Sequence, residues 1–282
     1  MCIRDSYGES LGAKIQELKS NAINSNRAVE YARGGNIDVG GPVPFELPIL
    51  GIGSVLKHAL GGKVTTGAGP YVHTLKRGAL PAGLSIEKGF TDIAQYIVYR
   101  GCKVDKLSIN IPVNGLVTGT LDLKGKDHAE SGTSLGTPTA VAHAPYAEQD
   151  AVLLEGGGAV TLLGLSFDVT NELDVVEQIG SRFPAAITEG KGECTGTVTV
   201  MFENLTMYNK WKNETATSLT ATLTQGAASI AFSFPNVRYF EDSHPKIASG
   251  QGVVQTFKFR ALYDGTALSD IVVTIINTEV TI

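Results

Sequence analysis

Period-two alternation of apolar and polar residues, broken at short intervals by glycine and proline, constrains this 282-residue chain more than any other feature. Successive side chains of a strand point to opposite faces of its sheet, so such alternation marks strands with one face buried. Val198, Val200 and Phe202 share one face of one run, and Ile230, Phe232 and Phe234 share one face of another. Twelve runs of this kind occur, at 39–47, 71–76, 84–87, 96–99, 103–112, 115–123, 160–169, 193–202, 218–224, 229–235, 253–262 and 271–276. That many strands expose more edge and more apolar face than one open sheet can cover, which predicts sandwiched or closed sheets.

Only two segments carry helical spacing. From Ile52, the residues Val55, Leu56, Ala59 and Leu60 recur at three- and four-residue intervals, and Gly61-Gly62 supplies the stop. A second helix is predicted from an Asn204 cap through Leu205, Tyr208 and Trp211 to about Asn213, with Lys210, Lys212 and Glu214 on its polar side. The surroundings of the two helices match. A shift of 155 positions carries Arg27 onto Arg182, Gly35 onto Gly190, Asp38 onto Glu193, Gly41 onto Gly196, Val43 onto Val198, Leu47 onto Phe202 and Leu56 onto Trp211. A shared order of elements at a fixed offset reads as an internal repeat, with chance similarity between β segments as the alternative. The expected fold is mainly β. It has two similar β-sandwich or partial-barrel units at 7–126 and 151–282, each with one short α-helix, and a linker at 127–150 rich in Gly, Ser, Thr, Ala and Pro.

The hydrophobic fraction of 43% against 18% charged residues predicts a folded chain. With a net charge of −5 and no basic run, a DNA-gripping surface is not expected, because phosphate binding needs concentrated positive charge. Cys2, Cys102 and Cys194 never form a C-x-x-C pair, and His58, His73, His128, His143 and His244 lack the spacing that sets two imidazoles on one helical face. No disulfide framework, metal site or cofactor is expected. Neither an 18-residue apolar run nor the apolar core of a signal peptide is present, so the chain reads as soluble and made inside the cell. Gly132-Thr133-Ser134-Leu135-Gly136 satisfies G-x-S-x-G but sits in the polar linker, without the strand before and helix after that a nucleophile elbow needs. Gly156-Gly157-Gly158 precedes a strand, which makes it a turn and not a phosphate cradle. No enzyme is expected. The opening Met1-Cys2-Ile3-Arg4-Asp5-Ser6 resembles translated sequencing-adapter sequence and is set aside, with the expectation that an N-terminal strand is missing.

An ordered series of blocks resembles the tail tube proteins of long-tailed, siphovirus-type phages. The blocks are GNIDVGGPVPFEL at 35–47, LGIGSVLKHALG at 50–61, YVHT at 71–74, LP at 80–81 with LSIE at 84–87, YRGCKV at 99–104, LDLKGK at 121–126, FPNVRY at 234–239 and FRALYD at 259–264. The resemblance spans roughly 9–278 and implies a structural virion protein, made in the bacterial host. Its copies form rings that stack into a hollow tube for DNA delivery, with other tail proteins at the tube ends. Six β units close a ring in this family, so a two-unit chain implies a trimer and a one-unit chain a hexamer. Family members usually begin with a further segment ahead of the position of Glu9, which implies an incomplete first unit here.

Long loops of the family reach the next ring, and the matched stretches 18–34 and 171–189 are the candidates. Ile23, Val29, Ile179 and Phe183 would supply apolar contact area and Arg27 and Arg182 polar contacts, with ordinary solvated loops as the alternative. Net acidity suits a lumen that repels phosphate. Asp38 and Glu193, matched across the repeat, and the nearby Glu46 and Glu203 are the candidate lumen carboxylates, with plain outer-surface charge as the alternative. The competing class is a non-catalytic β-sandwich binding or adhesin module of a virion or cell surface. Such modules display clustered aromatics, whereas the one Trp here, Trp211, is placed on the buried side of the second helix.

Overall fold

The computed structural model of the chain describes residues 8–22, 28–137, 144–242, 244–245 and 252–282. The first half carries β1 (Gly12–Lys19), β2 (Ala32–Glu46), helix α1 (Ile52–Leu60), β3 (Gly61–Thr66), β4 (Tyr71–Arg77), β5 (Leu84–Phe90), β6 (Gln95–Ile111), β7 (Thr118–Gly125) and β8 (Asp127–Ser131). The second carries β9 (Ala151–Glu155), β10 (Gly158–Ala159), β11 (Leu162–Thr170), β12 (Asp174–Val176), β13 (Ala186–Thr188), β14 (Glu193–Met201), helix α2 (Thr206–Lys212), β15 (Thr217–Gln225), β16 (Ala228–Asp242), β17 (Val254–Ala261) and β18 (Val272–Asn277).

Two four-stranded antiparallel arrays organise these strands. The first lies in the order β1-β2-β7-β6 and the second in the order β11-β14-β17-β16, so the same path through the chain is taken twice. Registers agree as well: Lys14 faces Asp38 as Thr170 faces Glu193, and Val43 faces Leu121 as Val198 faces Phe257. Each array bulges at the same place, β6 between Val104 and Lys106 and β16 between Tyr239 and Glu241, leaving Asp105 and Phe240 as the extra residues. A bulge bends its strand and sharpens the twist. Beyond these bends β6 and β16 leave the arrays and build a second layer, β6 with β5 and β8, β16 with β15 and β18. That second layer packs on the array behind it. Phe167 of β11 meets Phe232 and Phe234 of β16 at ring-centroid distances of 5.1 Å each, and Phe234 meets Phe259 of β17 at 5.4 Å. Hairpin β3–β4 of the first half adds to β18 of the second, and one apolar core runs through both halves.

The arrays are joined edge to edge. Strand β6 pairs antiparallel with β11 from Lys106 opposite Thr170 to Ile111 opposite Leu165, giving one eight-stranded sheet. Behind this seam Arg77 grips the Asp270 carboxylate through Nε and Nη2 at 2.8–3.1 Å, and its Nη1 donates to Thr170 O at 3.1 Å and Asn171 Oδ1 at 3.2 Å. Asn171 Nδ2 in turn donates to the carbonyls of Ala59 and Val104, both at 2.9 Å. Forked guanidinium–carboxylate pairs are among the stronger and more directional contacts a chain can make.

Several expectations are corrected. The runs 96–99 and 103–112 are one strand, β6, because Gly101 at φ 62 takes a turn of backbone that other residues resist while pairing continues on both sides. Strand β16 continues through Pro235, since the register shift between Thr217 and Leu219 opposite it frees the proline from a ladder bond. The stretches 18–34 and 171–189 contain strands and not only loop; exposure on both faces hides β1 from an alternation test, and β12 and β13, three residues each, are too short for one. Within 127–150, β8 pairs with β6 and Tyr146 is buried, so this stretch is packed structure as well as connection. Helix α1 lies where predicted, whereas α2 begins at Thr206 with Leu205 and not Asn204 at its N-cap; Asn204 stands one residue earlier, where its Oδ1 accepts the Thr206 N–H at 2.8 Å. Met1–Ser6 falls outside the described residues.

Candidate assembly surface

Alternation that buries Val39, Val43, Phe45, Val198 and Val200 turns Asp38, Glu46 and Glu193 to the opposite face of the eight-stranded sheet. This face is mainly polar, and several of its charges are paired. Lys106 pairs with Asp168 at 3.1 Å, Lys258 with Glu241 at 2.7 Å and Arg260 with Glu193 at 3.5 Å, while Gln16 Nε2 donates to Asp38 at 3.1 Å. Bases therefore sit beside the carboxylates of this face. Glu203 is not on it. It lies after β14 and accepts a hydrogen bond from the Thr161 hydroxyl.

Both ends of the sheet are open edges. Strand β1 pairs only with β2, and from Arg238 to Asp242 β16 pairs only with β17 among the described residues. Unpaired edges are templates for another strand. The apolar side chains beside them face solvent, with Ile15 54% and Phe240 59% exposed.

Two hairpin arms project from the arrays, and they are the stretches singled out by the repeat. The β12–β13 arm crosses the first array: Arg182 O accepts Ile37 N–H at 2.8 Å, Arg182 Nε donates to Gly35 O at 2.9 Å, and Lys124 Nζ donates to Leu173 O at 2.6 Å. Glu189 closes its base with an ion pair to Lys103 at 3.1 Å, and Phe183 meets the His128 ring edge-on at 5.9 Å. Arg182 and Phe183 thus join the two halves of one chain, while Ile179 stands fully exposed at the tip. The other arm is the outer part of β1 and β2, with Val29 exposed, and Ile23 and Arg27 lie outside the described residues. The receiving residues Lys103, Asp105 and Lys124 escaped sequence reasoning, because nothing in a strand's own pattern says what crosses its face.

In the G-x-S-x-G run the Ser134 hydroxyl donates to the Glu87 carboxylate, and the described residues that follow it, 135–137, are not helical. Among the described residues no group of three His, Cys, Asp or Glu side chains converges to hold a metal, and no helix is long and apolar enough to cross a membrane. Cys102 and Cys194 are buried thiols, and burial pushes that of Cys102 up to about 11. A continuous polar sheet face, two open edges and interlocking arms define a structural β protein that works through its surfaces. The model of the phage tail tube protein family matches residues 1–261, and the chain belongs to that family. It is a protein of the virion tail. No curated protein matches it.

Proposed function

We propose that this tail tube subunit closes rings of three chains, pseudo-sixfold, which stack into a hollow conduit for DNA. The observation that supports this most is the β6–β11 seam. The chain joins the last strand of one array to the first strand of an equivalent array, and the strands left open, β1 and the outer part of β16, are again a first and a last strand. A second copy can repeat the seam, and repeating one head-to-tail contact gives a ring if the rotation closes. Two arrays per chain, arising from a duplicated unit over 7–126 and 151–282, bring six arrays to a ring of three. Closure removes the open edges.

In this ring the polar face lines the lumen and the core and helices lie outside. Asp38, Glu46 and Glu193 then face the passing duplex beside matched bases, and a surface without concentrated positive charge does not hold phosphate. Electron microscopy over a concentration series with light scattering on the same samples tests the reading. Uniform rings or tubes at three chains per ring are expected. Six chains per ring would keep the tube and reject the trimer, and a monomer at all concentrations would overturn the assembly reading.

A further inference from the structure

The seam inside the chain is accompanied by an arm, and the open ends offer the same pair of parts. In the first array the groove beside Gly12, Asp38, Gly40 and Lys124 is walled by Val175 and Pro184 of the β12–β13 arm. The second array has the corresponding groove, about 410 Å³, beside Asp168, Thr195, Phe240, Lys258 and Arg260, and among the described residues no arm lies on it. Its counterpart arm, the outer β1–β2 hairpin, leaves Leu18 55% and Tyr31 60% exposed.

We propose that the β1–β2 arm of a second copy seats on the second array of this one, Ile15 against Phe240 and Glu17 against Arg260. The proposal rests on the ring reading and specifies its contact. The matched bulges equate Asp105 with Phe240, and the strand registers around them equate Lys124 with Arg260. Because Lys14 stands where Thr170 does, Ile15 takes the place of Asn171 and Glu17 that of Leu173. Within the chain the Asn171 N–H donates to Asp105 O at 2.8 Å, the Leu173 N–H donates to the Asp105 carboxylate at 2.8 Å, and Lys124 donates to Leu173 O.

Between copies the Ile15 N–H meets the Phe240 carbonyl. Among the described residues that oxygen accepts a long 3.4 Å bond from Trp211 Nε1, and a carbonyl oxygen has a second lone pair for the new donor. Apolar contact of Ile15 and Leu18 with the Phe240 ring replaces the contacts of the half-buried Asp105 carboxylate with the Leu173 N–H and Lys124. Glu17 brings an acid to Arg260, where Lys124 within the chain meets the Leu173 carbonyl at 2.6 Å and the Asp105 carboxylate at 3.0 Å.

Cross-linking between separately made full-length variants tests the contact. In a Cys2→Ser background, Ile15→Cys and Phe240→Cys chains are mixed and treated with a short bismaleimide, while the buried Cys102 and Cys194 stay silent. A product of twice the chain mass that requires both variants is the expected result, and adding Phe240→Asp to the Ile15→Cys partner leaves it unchanged while Phe240→Asp in place of Phe240→Cys abolishes assembly with the melting curve of the free chain preserved. Rings under the microscope without a 15–240 cross-link would overturn the arm contact and leave the ring reading standing. The cross-link without rings would keep the contact and overturn ring closure. Absence of both would overturn the two together.

Discussion

The two four-stranded arrays take the same path, the same registers and the same bulge, yet they are finished differently. In the first array the outer strand β6 is paired to β11, the bulged Asp105 is hydrogen-bonded, and an arm crosses the sheet. In the second, β16 ends in an open edge, the bulged residue is an exposed Phe240, and the groove stands empty of an arm among the described residues. On the proposed ring reading, the first array stands in the joined state and the second in the state before joining. The difference also shows which contacts are permanent: the internal seam is fastened by Arg77, Asp270 and Asn171, whereas the open end substitutes Ile15 for Asn171. A seam that never opens can use buried polar groups, and one that must form between free copies is better served by residues that tolerate water.

The sharpest contrast lies in the cores. Phe167 of β11 is buried and touches two further phenyl rings, and the residue that continues the matched register just before β1 is Leu11, also buried. Phe167→Ala is expected to cost about 3–5 kcal/mol and Leu11→Ala about 2–4 kcal/mol in urea unfolding, because the aromatic cluster leaves the larger cavity. Equal losses would say that the arrays are packed alike. The fastening of the seam comes next. Arg77→Ala leaves the nearly buried Asp270 without its partner and is expected to cost about 3–5 kcal/mol, with the double variant Arg77→Ala, Asp270→Ala losing less than the single one. A smaller loss in the single variant would show that Asp270 is reached by water.

Ile15→Pro addresses the open end. If the Ile15 N–H points outward, as the Asn171 N–H does across the internal seam, proline removes a bond to the neighbouring copy and little else. Assembly by light scattering should be lost while the free chain's stability stays within about 1 kcal/mol, as is usual for exposed positions. Alkaline pH distinguishes the halves more gently. Burial raises the Cys102 thiol from 9.0 to about 11 and the Tyr146 phenol, with help from Asp150, from 10.0 to about 12. Both shifts favour the protonated folded form, so their contribution is full below pH 9 and is lost as pH rises through 9–12. Cys102→Ala should flatten the lower part of that decline in denaturant titrations against pH.

Much of this architecture could be read from the residues. Alternation placed most strands, helical spacing placed α1, and the fixed offset paired Asp38 with Glu193, which hold equivalent register positions in the two arrays. What stayed hidden has a common cause. Strand β1 is exposed on both faces beyond its first residue and carries no alternation, β12 and β13 are three residues each, and β8 and β9 are five-residue pieces that pair with the distant β6 and β15. The role of Arg182 was half legible: the offset marked it, but only the fold reveals that it grips Gly35 of its own chain. Pairing of Lys106 with Asp168 and of Lys258 with Glu241 could not be read from composition either, since a net charge of −5 says nothing about which face carries it.

That charge balance gives the gentlest test, and it bears on the conduit itself. Asp38→Asn with Glu193→Gln removes one matched carboxylate from each array. Both sit in exposed contacts, so the free chain should lose no more than about 1 kcal/mol. In assembled tubes the consequence is larger, because Arg260 then faces the sheet surface without Glu193 and each ring repeats the change. If the polar face lines the lumen, the variant tubes should retain short duplex DNA that the parent tubes release. The retained fraction should fall steeply with added salt, and the DNA should resist nuclease while inside. Retention that nuclease removes would put this face on the outside of the tube. Equal release by parent and variant tubes would mean that Asp38 and Glu193 do not set the charge the duplex meets, leaving Glu46 as the lumen carboxylate to change next.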